Sequence, residues 1–193
     1  MQKNSIKTSL CSVPVESTDF KKRKNRSQGQ CPILPKTAIV SLVEAMKKAG
    51  FPSSSFDFFD IDMLHPHLTD EDIGNYFSSY KPNVVGLSAV TSTSYLQIKR
   101  ISSIIRSVLP DSWIVMGGNL AASSEAVLIS TEVDLTVVGD GEIAWIKILE
   151  HIISYPDRKD YKSLSKLINI KGVAFLNEKG EINLNGFGIP IPE

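Results

Sequence analysis

Cysteine is nearly missing from this chain, with Cys11 and Cys31 the only two. They are too few and too far apart for a metal knuckle, and a reducing compartment keeps them as thiols unless the fold brings them together. Histidine is scarce as well. His65 and His67 flank Pro66 in a polar turn and His151 falls in a helical pattern; two alternate histidines without further ligands make no metal site. No stretch reaches the roughly 20 uninterrupted apolar residues of a membrane span, and the polar start Met1-Gln2-Lys3-Asn4 has no apolar signal core. The expectation is a cytoplasmic chain. An excess of either charge is also missing, since 21 Lys and Arg face 21 Asp and Glu. That balance removes any global electrostatic reason for a nucleic-acid or anionic-membrane partner. The one basic run, Lys21-Lys22-Arg23-Lys24 with Arg26, has no aromatic platform beside it and reads as a solvated loop.

What is present is an alternation of strand and helix patterns. At 193 residues the chain has material for one core of moderate size and an appended element. Strands are expected over 9–15, 56–61, 84–90, 113–116 and 135–138. Between them, Ile39, Leu42, Val43 and Met46 repeat at helical spacing after Thr37, which reads as a cap, and Gly50 stops the run. Thr69 precedes an acidic first turn, Asp70-Glu71-Asp72, that complements a helix dipole. Ile98, Ile101, Ile105 and Val108 mark a helix over 94–109 closed by Pro110; Ser123 and Ser124 cap a short one, and another covers 143–153. Five such units predict a doubly wound α/β fold, a five-stranded parallel sheet with helices on both faces. After Tyr155 come a polar linker, 156–160, and a β-hairpin around Asn177-Glu178-Lys179-Gly180. The chain then divides at 1–155 and 156–193.

Three strands in a row end in small residues: Ser88 in the third, Gly117-Gly118 after the fourth, and Gly139-Asp140-Gly141-Glu142 after the fifth. A parallel sheet binds ligands outside the carboxyl ends of its strands, and small side chains there let a large ligand approach the backbone. Taken singly, the same glycines read as tight strand-to-helix turns. Their convergence on one crevice favours a ligand site.

Three segments carry a family resemblance: Asn83-Val84-Val85-Gly86-Leu87-Ser88-Ala89-Val90-Thr91, Ile114-Val115-Met116-Gly117-Gly118, and Asp134-Leu135-Thr136-Val137-Val138-Gly139-Asp140-Gly141-Glu142. In that order, with the helix after Thr37, they resemble the Rossmann-like, flavodoxin-like cobalamin-binding domain at the amino end of cobalamin-dependent radical S-adenosylmethionine enzymes. The likeness runs over roughly 33–185. It implies cobalamin bound with its nucleotide tail drawn off cobalt and threaded beside the sheet. By position it assigns the cofactor to Ser88, Ala89, Val90, Thr91 and Ser92, to Gly117, Gly118 and Asn119, and to Gly139, Asp140, Gly141 and Glu142. A Ser88 hydroxyl adds little bulk and can hydrogen-bond a heterocycle nitrogen. Amides where the fourth and fifth helices begin could meet the nucleotide phosphate. The long loop before Thr37, with Pro32, Leu34 and Pro35, corresponds to one that lies against the corrin face.

Two departures bear on mechanism. The mutase type of cobalamin domain carries Asp-x-His-x-x-Gly after its first strand. Here Asp19 has no such histidine after it, and Asp62-Met63-Leu64-His65 has a different spacing and follows the second strand. No histidine on cobalt is expected. The Cys-x-x-x-Cys-x-x-Cys triplet of the family's barrel is also absent, so a four-iron four-sulfur cluster and S-adenosylmethionine would belong to a barrel outside this chain. The expectation is a piece from the front of a longer enzyme of methyltransferase class, with no catalytic residue and no metal ligand of its own. Other classes stay open. A signalling receiver needs an aspartate ending the third strand and a lysine after the fifth, where this chain has Ala89-Val90-Thr91 and Gly139-Asp140-Gly141. A dinucleotide binder needs Gly-x-Gly-x-x-Gly after the first strand, also absent. A stand-alone or degenerate Rossmann-like binding or interaction domain without cobalamin is compatible with the sequence.

Overall fold

Runs of fully buried apolar residues build the central sheet: Val84 and Val85 in one strand, Trp113, Ile114 and Met116 in the next. In the computed structural model, which describes residues 2–15, 36–65 and 67–188, these strands are β1 (Thr8–Ser12), β2 (Phe56–Asp60), β3 (Val84–Ser88), β4 (Trp113–Gly117) and β5 (Leu135–Val137). They pair in parallel in the order β2-β1-β3-β4-β5, so the doubly wound reading holds. Asp19, the basic run 21–26, Cys31, Pro32, Leu34, Pro35, Pro66 and the end from 189 lie outside the described residues.

The sheet has two more strands than expected of it. The hairpin strands β6 (Val173–Leu176) and β7 (Ile182–Leu184) do form, but they continue the same sheet. β6 lies antiparallel to β5, with Thr136 opposite Ala174 and Val137 opposite Val173. The result is one seven-stranded mixed sheet. Nor do residues 156–158 run free: Trp113 Nε1 donates to the Pro156 carbonyl at 3.0 Å, and Arg158 donates to Pro110 and to Asp134.

Helices α1 (Thr37–Lys48), α2 (Ile61–Leu64), α3 (Asp70–Tyr80), α4 (Tyr95–Val108), α5 (Ser124–Ser130), α6 (Glu142–Ser154) and α7 (Tyr161–Leu164) surround the sheet. The period-2 alternation of strand side chains sorts the core into two layers. Val85, Leu87, Ile114 and Met116 meet Ile73, Phe77, Ile98, Ile101 and Val127 from α3, α4 and α5. Leu10, Val84, Val115, Leu135 and Val137 meet Ile39 and Met46 of α1 and Trp145, Ile148 and Ile152 of α6. Burial pushes the Cys11 thiol up to about 12, so it packs as a neutral group.

Helix starts follow the sequence in part. Thr69 and Asp72 form a reciprocal capping box on α3. Thr37 does not cap α1: it is the first helical residue, Lys36 precedes it, and no side chain caps that end. Ser123 likewise precedes α5 without a side-chain cap, because a 3₁₀ turn, Asn119–Ser123, already leads into that helix.

Candidate functional site

The face of the sheet under α1 and α6 is hollow at its carboxyl end. Register places Leu10, Gly86 and Val115 side by side, and one step further along Ser12, Ser88 and Gly117. Gly86 in the first row and all three residues of the second are small where a packed α/β core has branched ones. The space left between sheet and helices is a cavity of about 190 Å³, floored by Leu10, Gly86, Ser88, Val115, Gly117 and Val137. An apolar cavity of roughly 150 Å³ takes up benzene, so this one has room for a substituted aromatic ring.

Its walls come from two helices and one loop. Ala38, Ile39 and Leu42 project from α1 and Trp145 from α6, while Gly139, Asp140, Gly141 and Glu142 form the lip. Ser41 of α1 donates a hydrogen bond to the Glu142 carboxylate at the head of α6, which ties the two walls together. The lip is held from behind. Gly188 N–H donates to the Val138 carbonyl at 2.7 Å, and its Cα stands where a Cβ would come within 2.3 Å of the Asp140 carbonyl oxygen.

The structure gathers seven of the twelve expected residues around this cavity: Ser88, Gly117, Gly118, Gly139, Asp140, Gly141 and Glu142. Ala89, Val90, Thr91, Ser92 and Asn119 do not line it. Ala89 is buried and ties strand ends together, its N–H donating to Gly117 and its carbonyl accepting from Leu120. Val90 is exposed. Thr91 bonds Thr93 through their hydroxyls at 2.8 Å, and Ser92 opens a 3₁₀ turn. Of the two helix starts expected to offer amides, only that of α6 borders the cavity. Sequence reasoning missed the walls themselves. Ala38, Leu42 and Trp145 carry the same apolar spacing as any core-facing helix, and Gly86 lies mid-strand, so nothing local distinguishes them.

Among the described residues no cluster of three His, Cys, Asp or Glu side chains could hold a metal ion. His65 ends α2 and His67 is exposed. His151, expected on a helix surface, is instead half-buried, sharing a hydrogen bond of 2.9 Å with Ser163 and standing edge-on to Trp113. Burial, and then the charge of Lys166, push its pKa down. Asp134 lies away from the cavity, held by Arg106 at 2.7 Å and Arg158 at 3.1 Å. No helix among the described residues is long and apolar enough to cross a membrane.

Two solved structures show partial likeness. One is a cobalamin-binding protein from Desulfitobacterium hafniense DCB-2, 18% identical over 60% of this chain and 45% of its own, with a TM-score of 0.35. The other is the leucine binding protein LivK from Thermotoga maritima MSB8, 12% identical over 91% of this chain and 55% of its own, with a TM-score of 0.40. This chain spans about half the length of each. No curated protein matches. The model of the B12 binding domain matches residues 32–149, well over half of the sequence, from before α1 into α6. The chain belongs to the B12-binding domain family.

Proposed function

We propose that this chain is the cobalamin-binding module of a radical S-adenosylmethionine enzyme, of methyltransferase class, and that it holds cobalamin base-off with no protein histidine on cobalt. The observation that carries this reading is the cavity between the sheet and helices α1 and α6. It lies at the carboxyl ends of the strands, is floored by Gly86, Ser88 and Gly117, and has the volume of a ring system.

The residues present fit the cofactor. Nothing lies within 4 Å of the position a Gly117 Cβ would take, so the space beside the strand end is free for a ligand. Ser88, Gly117 and Gly118 would receive the tail from the sheet side, Leu42 and Trp145 from the helix side, and the Gly139–Glu142 lip would close over it. When bound, cobalamin supplies a methyl group on cobalt for transfer to an unreactive carbon. The chain's own part is binding and orientation: the apolar walls keep water from the tail, and the Ser41–Glu142 bond fixes the distance between them. The four-iron four-sulfur cluster, S-adenosylmethionine and the substrate would belong to a barrel in the same polypeptide. Absence of Asp-x-His-x-x-Gly supports the missing lower ligand.

An absorbance titration of this chain with hydroxocobalamin and methylcobalamin tests the reading. Saturable binding with a base-off spectrum is expected, lost in Ser88→Tyr, whose ring would fill the tail position. Failure of both cobalamins to bind, or a base-on spectrum at saturation, would contradict it.

A further inference from the structure

Polarity is unevenly distributed in the cavity. Among the described residues that line it, hydroxyl and charged side chains belong to Ser88, Asp140 and Glu142 alone, and all three stand at the mouth. Ser88 ends β3, while Asp140 and Glu142 belong to the lip where α6 begins. Asp140 is exposed, and Glu142 already accepts the hydrogen bond of Ser41.

Further in, hydrogen-bonding groups run out. One step back from the mouth along the strands, the floor is Leu10, Gly86 and Val115, and both larger side chains are buried. Leu42 and Trp145 face that floor from about one turn inside their helices. The indole nitrogen of Trp145 is buried out of reach of accessible space, and its backbone N–H donates to Gly141 at 2.7 Å. Strands β1, β3 and β4 each have a neighbour on both sides, so the backbone groups of the floor are taken up by the sheet ladder. A ligand reaching this inner half finds neither donor nor acceptor. A hydroxyl carried there loses its water without replacement, whereas a methyl group gains by leaving water.

We propose that the inner half of the cavity selects the ligand by polarity. It favours cobamides, which share cobalamin's corrin and differ in the tail base, whose base carries methyl groups on its far edge over those that carry a hydroxyl there. The six-membered ring of a benzimidazole tail is the part farthest from the ribose and so goes in deepest. Leu10, Leu42 and Val115 are the specificity-determining residues, and they act by withholding hydrogen bonds. The inference rests on the cobalamin reading of the same cavity.

Three methylcobamides that share the imidazole half of the tail base test it: methylcobalamin, with 5,6-dimethylbenzimidazole, and its analogues with benzimidazole and 5-hydroxybenzimidazole. A hydroxyl fills more space than a hydrogen, so a cavity that selected by filling alone would hold the hydroxyl form tighter than the unsubstituted one. The expected order is the reverse. Methylcobalamin binds tightest, the unsubstituted form next and the hydroxyl form weakest, at least about tenfold below methylcobalamin. Val115→Thr and Val137→Thr each place a hydroxyl on the floor at nearly constant volume. At least one of them is expected to narrow the gap between the unsubstituted and hydroxyl forms by about threefold, a comparison in which differences between the free ligands cancel. A hydroxyl form held as tightly as the unsubstituted one, or a gap unchanged in both variants at a native thermal midpoint, would overturn the inference while leaving the cavity reading intact. Absence of binding by all three cobamides defeats the cavity reading, and the inference with it.

Discussion

Gly117 and Gly118 are adjacent and identical in sequence, yet they are glycine for opposite reasons. Gly118 has φ +90°, and a Cβ on it would lie 2.3 Å from the Ala89 carbonyl oxygen. Both the left-handed backbone and the neighbouring strand end exclude a side chain. Gly117 has no such backbone demand and faces open space, so what a side chain would take from it is ligand volume. Gly118→Ala is therefore expected to lower stability by about 1–3 kcal/mol, read as a lower thermal midpoint. Gly117→Leu should keep a near-native midpoint and weaken cobalamin binding at least tenfold in the same titration. Equal thermal loss in both variants would show that Gly117 serves the turn alone. The sequence shows two small residues at a strand end, which is enough to place a crevice; it does not show the positive φ or the nearby carbonyl that separates their roles.

At the scale of elements, the helices were legible because their apolar spacing is local. Ile98, Ile101 and Ile105 announce α4 and are fully buried in it. The place of the hairpin was not. Asn177 to Gly180 mark its turn, but pairing of β6 with β5 joins residues almost forty apart, and no local pattern specifies an antiparallel addition to a parallel sheet. The return of the chain at Gly188 was hidden for the same reason, since its partners, Val138 and Asp140, lie about fifty residues back. In the fold, backbone atoms of Gly139, Gly172 and Gly188 approach so closely that a Cβ on Gly172 would lie 2.6 Å from Gly188 N, and one on Gly139 would lie 2.8 Å from it. This three-way contact props the lip that carries Asp140 and Gly141. Gly188→Ala should push the segment off β5, weaken cobalamin binding several-fold, and lower the thermal midpoint by about 2–4 °C for each kcal/mol lost. Wild-type affinity in that variant would mean that the lip holds its position without the returning segment.

For the molecule as a whole, the doubly wound architecture could be read from five strand–helix repeats, because connection rules leave few ways to arrange them. The cavity was half legible. Its floor and lip appear as a recurring run of small residues at strand ends, whereas its walls, Leu42 and Trp145 among them, are written in the ordinary alphabet of a hydrophobic core. A helix face that packs on a sheet and one that leaves room for a ligand have the same period; what tells them apart is the open space at a strand end, beside Gly117, in another strand. The central claim is that this hollow receives the nucleotide tail of cobalamin. The most direct measurement compares the affinity of the chain for cobalamin with that for cobinamide, which has the same corrin ring and no tail. A preference for cobalamin of at least about tenfold, abolished by Gly117→Leu, is the expected result. Equal affinity for the two, unchanged by that substitution, would contradict it.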